Sequence, residues 1–142
     1  MAVLVVIALM GCGGEHAGSD EVPDGEHRLI EGHGPEGPIP LVDDSPVTLV
    51  IDGDDWGGTA ACNSYGGTVE VDGERLSVRE VLQTEMACPD ERVMDSERRY
   101  LEAFRLVERY ALDGDRLVLR GPDTELTFER LGPDPEAAGG RG

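Results

Sequence analysis

The sequence predicts an α+β fold in which an antiparallel sheet of hairpins packs against one amphipathic helix. Three Asp-Gly pairs, at 52–53, 72–73 and 113–114, each separate two short runs rich in aliphatic and β-branched residues. Asp-Gly between such runs is a strong hairpin signal, because glycine adopts positive φ without strain. One later segment repeats its apolar residues at helical spacing instead. A sheet covered by one helix is an α+β layer arrangement.

The composition narrows the classes of function. The chain has 142 residues, of which 30 are Asp or Glu and 12 are Arg, and its formal net charge is −18. This length predicts a single domain. The acidity argues against a nucleic-acid partner, since phosphate binding depends on clustered Lys and Arg. The sequence contains no Lys, which removes P-loop, Schiff-base and Ser-Lys chemistry.

The N-terminal residues predict a cellular location. Residues 2–11 form an unbroken run of apolar or small residues that ends at Cys12. The run is shorter than the roughly 20 residues that span a bilayer, but it suits the apolar region of a secretory signal. Residues 9–12, Leu-Met-Gly-Cys, resemble a bacterial lipobox, although no Lys or Arg precedes the run. We therefore expect a lipoprotein signal peptide at 1–11 and lipidation of Cys12, which anchors an extracytoplasmic chain to a bacterial membrane. The alternative is an N-terminal core strand with a free thiol.

The segment 12–44 is expected to be the lipidated cysteine followed by a flexible acidic tether. It is rich in Gly, Pro and acids, and no aromatic residue precedes Trp56, so few large apolar groups can offset its ordering entropy. Leu29 and Ile30 allow a short strand at 27–31. All three histidines of the chain lie in this segment, namely His16, His27 and His33. Their spacing matches no standard zinc pattern, so no metal site is expected.

The folded domain is expected to span 46–131, with a disordered tail at 132–142. The runs that predict strands are 47–51, 68–71, 76–78, 110–112, 117–119 and 126–128. The acids in the turns are too few and too scattered for calcium loops. The glycine-flanked loop 57–67 lacks the Lys and the following helix of a phosphate-binding loop. Its glycines are expected to allow close strand packing or a bulge.

The helix is predicted at 89–109. Its apolar residues at helical spacing are Val93, Met94, Tyr100, Leu101, Phe104 and Val107. Pro89 suits a first helical turn, and Asp90 and Glu91 lie at the positive end of the helix dipole.

Glu97 lies in the middle of the apolar face of this helix. A carboxylate there is costly unless hydrogen-bond donors surround it. We expect a structural polar strut in which Glu97 accepts from backbone amides of the loop around Asn63, or meets Thr84. The alternatives are a functional carboxylate with a raised pKa and a side chain that reaches water at a helix end.

Several motifs in the folded segment follow one another in an order that points to a family. They are PVTL at 46–49, GTAACNSYGG at 58–67, TEMAC at 84–88, Glu97 three residues before Tyr100-Leu101, and DGDRL at 113–117. In order and spacing they resemble the META domain, the family that includes the HslJ heat-shock lipoproteins. At the opening Trp-x-Leu motif of the family this chain has His-Arg-Leu-Ile, at 27–30.

The resemblance implies a small, partly barrel-like antiparallel sheet wrapped against one helix, in an extracytoplasmic lipoprotein. The family has no established enzymatic activity, and its links are to stress tolerance and the envelope. Its fold is similar to that of pilotin lipoproteins, which bind secretin tails or acyl chains.

The cysteines and aromatic residues supply further candidates. If Cys12 carries a lipid, Cys62 and Cys88 remain, and an even number outside the cytoplasm favours a disulfide. Free buried thiols are the alternative, since catalysis or metal binding by this pair would need a nearby His. A possible binding surface consists of Trp56, Ser64 and Tyr65, unless the two aromatic rings pack in the core.

We therefore expect a non-enzymatic binding or scaffolding module of the cell envelope, without a cofactor. Its partners would be the membrane, through the lipid, and an envelope protein or a small hydrophobic ligand. One alternative is an inhibitor of a basic envelope hydrolase, which the acidic charge would suit. The other is a hydrolase that uses Glu97 with a second carboxylate.

Overall fold

The computed structural model describes residues 22–132, which form nine strands and one helix. The predicted signal peptide, the lipidation at Cys12 and nearly all of the predicted tail lie outside the described residues. The elements are β1 (Gly25–Gly34), β2 (Gly37–Pro38), β3 (Thr48–Asp52), β4 (Asp55–Ala60), β5 (Asn63–Asp72), β6 (Arg75–Gln83), α1 (Glu91–Leu106), β7 (Arg109–Asp113), β8 (Arg116–Gly121) and β9 (Thr124–Arg130).

The strands form an antiparallel barrel. The sheet order is β2-β1-β3-β4-β5-β6-β7-β8-β9, and β1 also pairs with β9, which closes the sheet on itself. Only the short β2 lies outside this closed ring. The predicted α+β arrangement, a barrel-like antiparallel sheet with one helix, is confirmed.

The barrel has one weak junction, between β6 and β7. These strands share a single register pair, Arg75 with Arg109. Two backbone hydrogen bonds flank it, from Leu76 N to Glu108 O at 2.7 Å and from Tyr110 N to Glu74 O at 3.0 Å. The chain segment that joins β6 to β7 is the one that contains α1.

The helix covers one end of the barrel. It contacts β1, β4, β6, β8 and β9. A Cβ on Gly34, at the end of β1, would lie 3.3 Å from Ala103 Cβ, and a Cβ on Gly121, at the end of β8, would lie 1.9 Å from Leu106 O. Only glycine therefore fits where β8 passes the last helical turn.

The helix is shorter than predicted. Asp90 caps it, and the Asp90 side chain accepts a hydrogen bond from Arg92 N at 2.9 Å. The predicted helical residues 89, 90 and 107–109 lie outside it. The buried face consists of Val93, Ser96, Glu97, Tyr100, Leu101, Ala103 and Phe104.

The barrel interior holds a packed apolar core. Aromatic rings of α1, β5 and β9 meet there, with centroids between 5.4 and 6.4 Å apart. The rings belong to Tyr65, Tyr100, Phe104 and Phe128. In a barrel of this size the interior is wide enough for side chains to fill.

The prediction of a flexible tether through residue 44 is wrong for the part that contains β1. The predicted short strand at 27–31 is the middle of a ten-residue strand that pairs with both β3 and β9. The barrel cannot close without it. Small residues explain why a segment with few large side chains is ordered: a Cβ on Gly32 would lie 3.0 Å from Leu126 Cδ2, so the neighbouring side chains pack directly on the β1 backbone.

The inward side of β1 carries a buried histidine. The side chain of His27 is 4% exposed, and its Nδ1 has no hydrogen-bond partner among the described residues. Burial lowers the pKa of His27 and the positive charge of Arg130 lowers it further, while hydrogen bonds with the backbone of Leu49 and Gly25 act in the opposite direction.

This lowered pKa predicts a loss of stability in mild acid. Below the ordinary pKa of 6.5, the unfolded chain binds a proton at His27 that the folded chain resists, so the free energy of unfolding falls as the pH is lowered. We expect urea unfolding between about pH 7.5 and pH 5.5 to show this slope, and His27→Leu to reduce it. The exposed His33 provides the control, since His33→Leu should keep the slope. Equal slopes in wild type and His27→Leu would contradict the assignment.

Candidate functional site

The polar centre of the helix-covered end is Glu97. Its carboxylate is 3% exposed. One oxygen, Oε2, accepts from Asn63 N at 2.6 Å, and the other, Oε1, accepts from Asn63 Nδ2 at 2.7 Å. Gln83 Nε2 lies 3.5 Å from Oε1. Both oxygens are therefore satisfied, which is what makes a carboxylate tolerable on an apolar helix face.

Asn63 extends this network to the segment that precedes the helix. Its Oδ1 accepts from Thr84 Oγ1 at 2.9 Å and from Met86 N at 2.7 Å, and its Nδ2 also donates to Met86 O at 3.1 Å. Ser64 N donates to Thr84 Oγ1 at 3.2 Å. Thr84 thus reaches Glu97 only through Asn63, and the connection holds the 84–88 segment against the β4–β5 turn.

A covalent bond reinforces the same attachment. Cys62 and Cys88 form a disulfide, with Cα atoms 6.1 Å apart, so this prediction is confirmed. The bond joins the residue next to Asn63 to the segment that leads into α1. With a sequence separation of 26, the chain-entropy model gives a stabilisation of about 3.5 kcal/mol.

Of the two alternatives for Trp56 and Tyr65, a binding surface with Ser64 or packing in the core, the structure has the core. Trp56 is 1% and Tyr65 is 6% exposed, because the alternation of β4 and β5 turns both rings into the barrel. Trp56 Nε1 donates to Gly53 O at 3.1 Å. Ser64 alone of the three is exposed. The two aromatic residues therefore belong to the core.

The hydroxyl groups of Tyr65 and Tyr100 form a buried chain. Tyr65 Oη donates to Thr48 O at 2.8 Å, and Tyr65 and Tyr100 Oη lie 2.5 Å apart. Since the Tyr65 proton points to a carbonyl, Tyr100 is the donor between the two. Burial raises the pKa of both phenols. They are structural donors rather than acids available to a ligand.

The outer face of β3 to β6 bears a depression, here called the outer trough. One cross-strand row forms it, and its members are Val50, Gly57, Gly66 and Leu82. The aliphatic side chains at its two ends are 41% and 76% exposed, and the two glycines between them leave bare backbone. The cavity measures about 550 Å³, and Asp52, Asp55 and Glu80 also line it.

Sequence reasoning missed the outer trough. The available signal was the pair of Gly-Gly sequences, at 57–58 and 66–67. Their alignment across neighbouring strands depends on the β4–β5 register, which the sequence does not specify.

A second depression, of about 470 Å³, lies between α1 and the end of β6, next to Glu97. The other carboxylate that lines it, Asp95, accepts from Arg98 Nη2 at 2.7 Å and from Arg99 Nε at 3.0 Å. These hydrogen bonds, with Arg99 first, lower the pKa of Asp95. Both carboxylates of this depression are thus engaged by groups of the chain itself.

With this geometry established, comparison with known proteins identifies the family. The family model of the META domain matches residues 20–132. The chain belongs to the META domain family. The matched range includes β1, in agreement with the strand that closes the barrel.

Solved structures share the fold of this META domain. A protein from Burkholderia xenovorans, determined by NMR, has a TM-score of 0.69 at 22% identity, with 82% of this chain and 88% of that chain covered. A DUF4847 family protein from Bacteroides vulgatus, a crystal structure, has a TM-score of 0.55 at 14% identity, with 78% and 95% covered. No curated protein matches the chain.

Two further observations bear on the site of this META domain. No helix within residues 22–132 combines the length and the apolar character that crossing a bilayer requires. The same part of the chain contains no group of three or more His, Cys, Asp or Glu side chains placed to hold a metal ion.

Replacing the central carboxylate tests its structural role. Both groups of Asn63 that contact Glu97 are N–H donors. In Glu97→Gln the new amide NH₂ replaces one acceptor oxygen and faces one of these donors. We therefore expect the free energy of unfolding to fall by roughly 2–4 kcal/mol. Urea unfolding with the disulfide intact measures this change. Glu102→Gln, the same substitution on a partly exposed position of α1, is the control and should have little effect. A Glu97→Gln protein as stable as wild type would contradict the strut.

Proposed function

We propose that this META domain is a non-enzymatic binding module, held at the outer side of a bacterial membrane by a lipid on Cys12, where it contributes to the stress tolerance of the envelope. The observation that carries the proposal is the structural role of Glu97. It is the one buried carboxylate among residues 22–132, and both of its oxygens accept hydrogen bonds from Asn63.

The contacts of Glu97 favour a binding protein over a hydrolase. A general acid or base must exchange a proton with a bound substrate. Here Asn63 occupies both carboxylate oxygens, and Arg98 and Arg99 occupy those of Asp95. To release Glu97, a hydrolase would have to break its hydrogen bonds with Asn63 inside the packed end of the barrel.

The disulfide supports the proposed location. Disulfides persist in oxidising compartments and are rare in the cytosol. The bond between Cys62 and Cys88 leaves Cys12 as the third cysteine of the chain, and a cysteine reserved for a lipid would be left unpaired in this way. The resemblance of residues 9–12 to a lipobox agrees with this.

The location can be tested by the intact mass of the full chain, isolated from the membrane fraction of its native host and alkylated without prior reduction. We expect a mass that begins at Cys12, carries added lipid and shows no alkylation. Cys12→Ser is the control, since it should lose the lipid and keep the disulfide. A chain that retains Met1, without lipid and with alkylated thiols, would overturn the proposed location.

The acidic rim of the outer trough favours a second candidate, an inhibitor of a basic envelope hydrolase. Added full chain should then inhibit a basic lysozyme-like enzyme, and the inhibition should weaken as the salt concentration rises, because exposed charges are screened. Unchanged enzyme activity at low salt would exclude this candidate.

A further inference from the structure

Three of the four glycines around the outer trough are required by the backbone, either because a neighbouring strand lies too close for a Cβ or because of the φ angle. A Cβ on Gly57 would lie 2.5 Å from Tyr65 O, and a Cβ on Gly67 would lie 3.0 Å from Arg79 O. Gly58 has a φ of +155°, which side-chain-bearing residues rarely adopt. At these three positions the close approach of strands, or the backbone conformation, requires glycine.

Gly66 has no such reason. The nearest atom to a Cβ built on it is Trp56 O, at 3.9 Å, which is ordinary contact, and its φ is not positive. Glycine inside a strand weakens the strand, because it has high conformational entropy and no side chain to pack. A glycine inside a strand also marks a bulge, and the β5–β6 register shifts between Gly66 and Thr68. The bare backbone at Gly66 in addition leaves room for a group from outside the fold to approach closely.

The outer trough has room for such an approach. Its end members, Val50 and Leu82, stand on strands that are three spacings apart, about 14 Å. Between them lie only the glycine backbones. Two exposed aliphatic side chains at the ends of a bare floor offer apolar contacts to a group that lies in the outer trough.

The charge around the outer trough selects the occupant. Three carboxylates, of Asp52, Asp55 and Glu80, line it. Arg79, next to Glu80 in β6, pairs instead with Glu70 at 3.4 Å, and no ion pair within residues 22–132 involves any of the three acids. A second copy of a chain with a net charge of −18 would be repelled, whereas a cationic partner would be attracted and oriented.

We propose that the outer trough binds a cationic peptide segment of a protein partner. One apolar side chain of the segment lies on the glycine floor, and flanking Lys or Arg side chains pair with the acidic rim. This inference rests on the proposed binding function and specifies its site and its ligand class.

The test uses the full chain and fluorescently labelled synthetic peptides. The probe peptides carry one Leu or Phe between pairs of Arg residues. Matched peptides replace each Arg by Glu, or the apolar residue by Ser. Fluorescence anisotropy should show binding of the Arg-flanked apolar peptides alone, and this binding should weaken as the salt concentration rises.

Two variants change the apolar part of the outer trough. Gly66→Leu fills the floor and should weaken binding at least about tenfold, which corresponds to ~1.4 kcal/mol. Thr127→Leu adds the same side chain to the outer face of β9 and is the matched control. Leu82→Ala removes a wall that is 76% exposed, so it tests the site without disturbing the core should Gly66→Leu fail to fold. Unfolding midpoints identify which variants fold.

Two further variants test the rim. Neutralising Asp52 and Asp55 together, as Asn, should weaken binding severalfold and flatten its salt dependence. The matched control neutralises Asp113 and Asp115, in the Asp-Gly turn between β7 and β8, which changes the net charge by the same amount away from the outer trough.

The outcomes separate this inference from the proposed function. Weakened binding in the outer-trough variants, with unchanged binding in both controls, supports the inference. Equal binding in Gly66→Leu, Leu82→Ala and wild type, equal binding of the Glu-flanked peptides, or no binding of any Arg-flanked peptide overturns it. None of these three results bears on the lipid at Cys12, which the intact mass decides independently.

Discussion

The fold depends on how the charge of Glu97 is accommodated. A closed sheet of this size must cover its ends, and here α1 covers one end while it also carries the chain from β6 to β7, the strands that share a single register pair. The helix can pack there only if its buried carboxylate finds donors. Asn63, at the β4–β5 turn, supplies two. The interaction therefore links the helix to the strands on the far side of the weak junction.

The disulfide and the hydrogen bonds of Asn63 both help to hold Glu97 in place, but they stabilise the fold in different ways. The hydrogen bonds satisfy polar groups that burial would otherwise leave unpaired, whereas the disulfide restricts the unfolded chain. Both attach the 84–88 segment, which has no regular secondary structure, to the β4–β5 turn. Because that segment leads directly into the helix, it sets the position of Glu97. The polar groups at this end are thus committed to the architecture.

The sequence predicts local structure well and predicts faces poorly. Hairpins follow from Asp-Gly pairs, the helix from its apolar spacing, and the disulfide from the number of cysteines, because each signal lies within a short stretch of chain. Only the middle of strand β1 is predicted, because β1 has few large side chains and its order comes from pairing with β3 and β9, distant in sequence. For Trp56 and Tyr65 the sequence leaves open a surface or the core, because strand alternation alone does not say which face is buried; the closure of the barrel decides it.

The difference between inward and outward strand positions also explains why the outer face of the barrel is the better guide to a binding partner. The apolar side chains inside the barrel are explained by packing and say little about a partner. Even the buried hydroxyl of Tyr65 has its acceptor within the chain. The outward positions of β3 to β6 face water. At such positions polar and β-branched residues would stabilise the strands better than glycine does. Gly66 weakens its strand, and its partner in the next strand, Leu82, exposes an apolar side chain to water. The β5–β6 bulge next to Gly66 accounts for part of this arrangement, and the room above the bare backbone is open to whatever the outer face contacts.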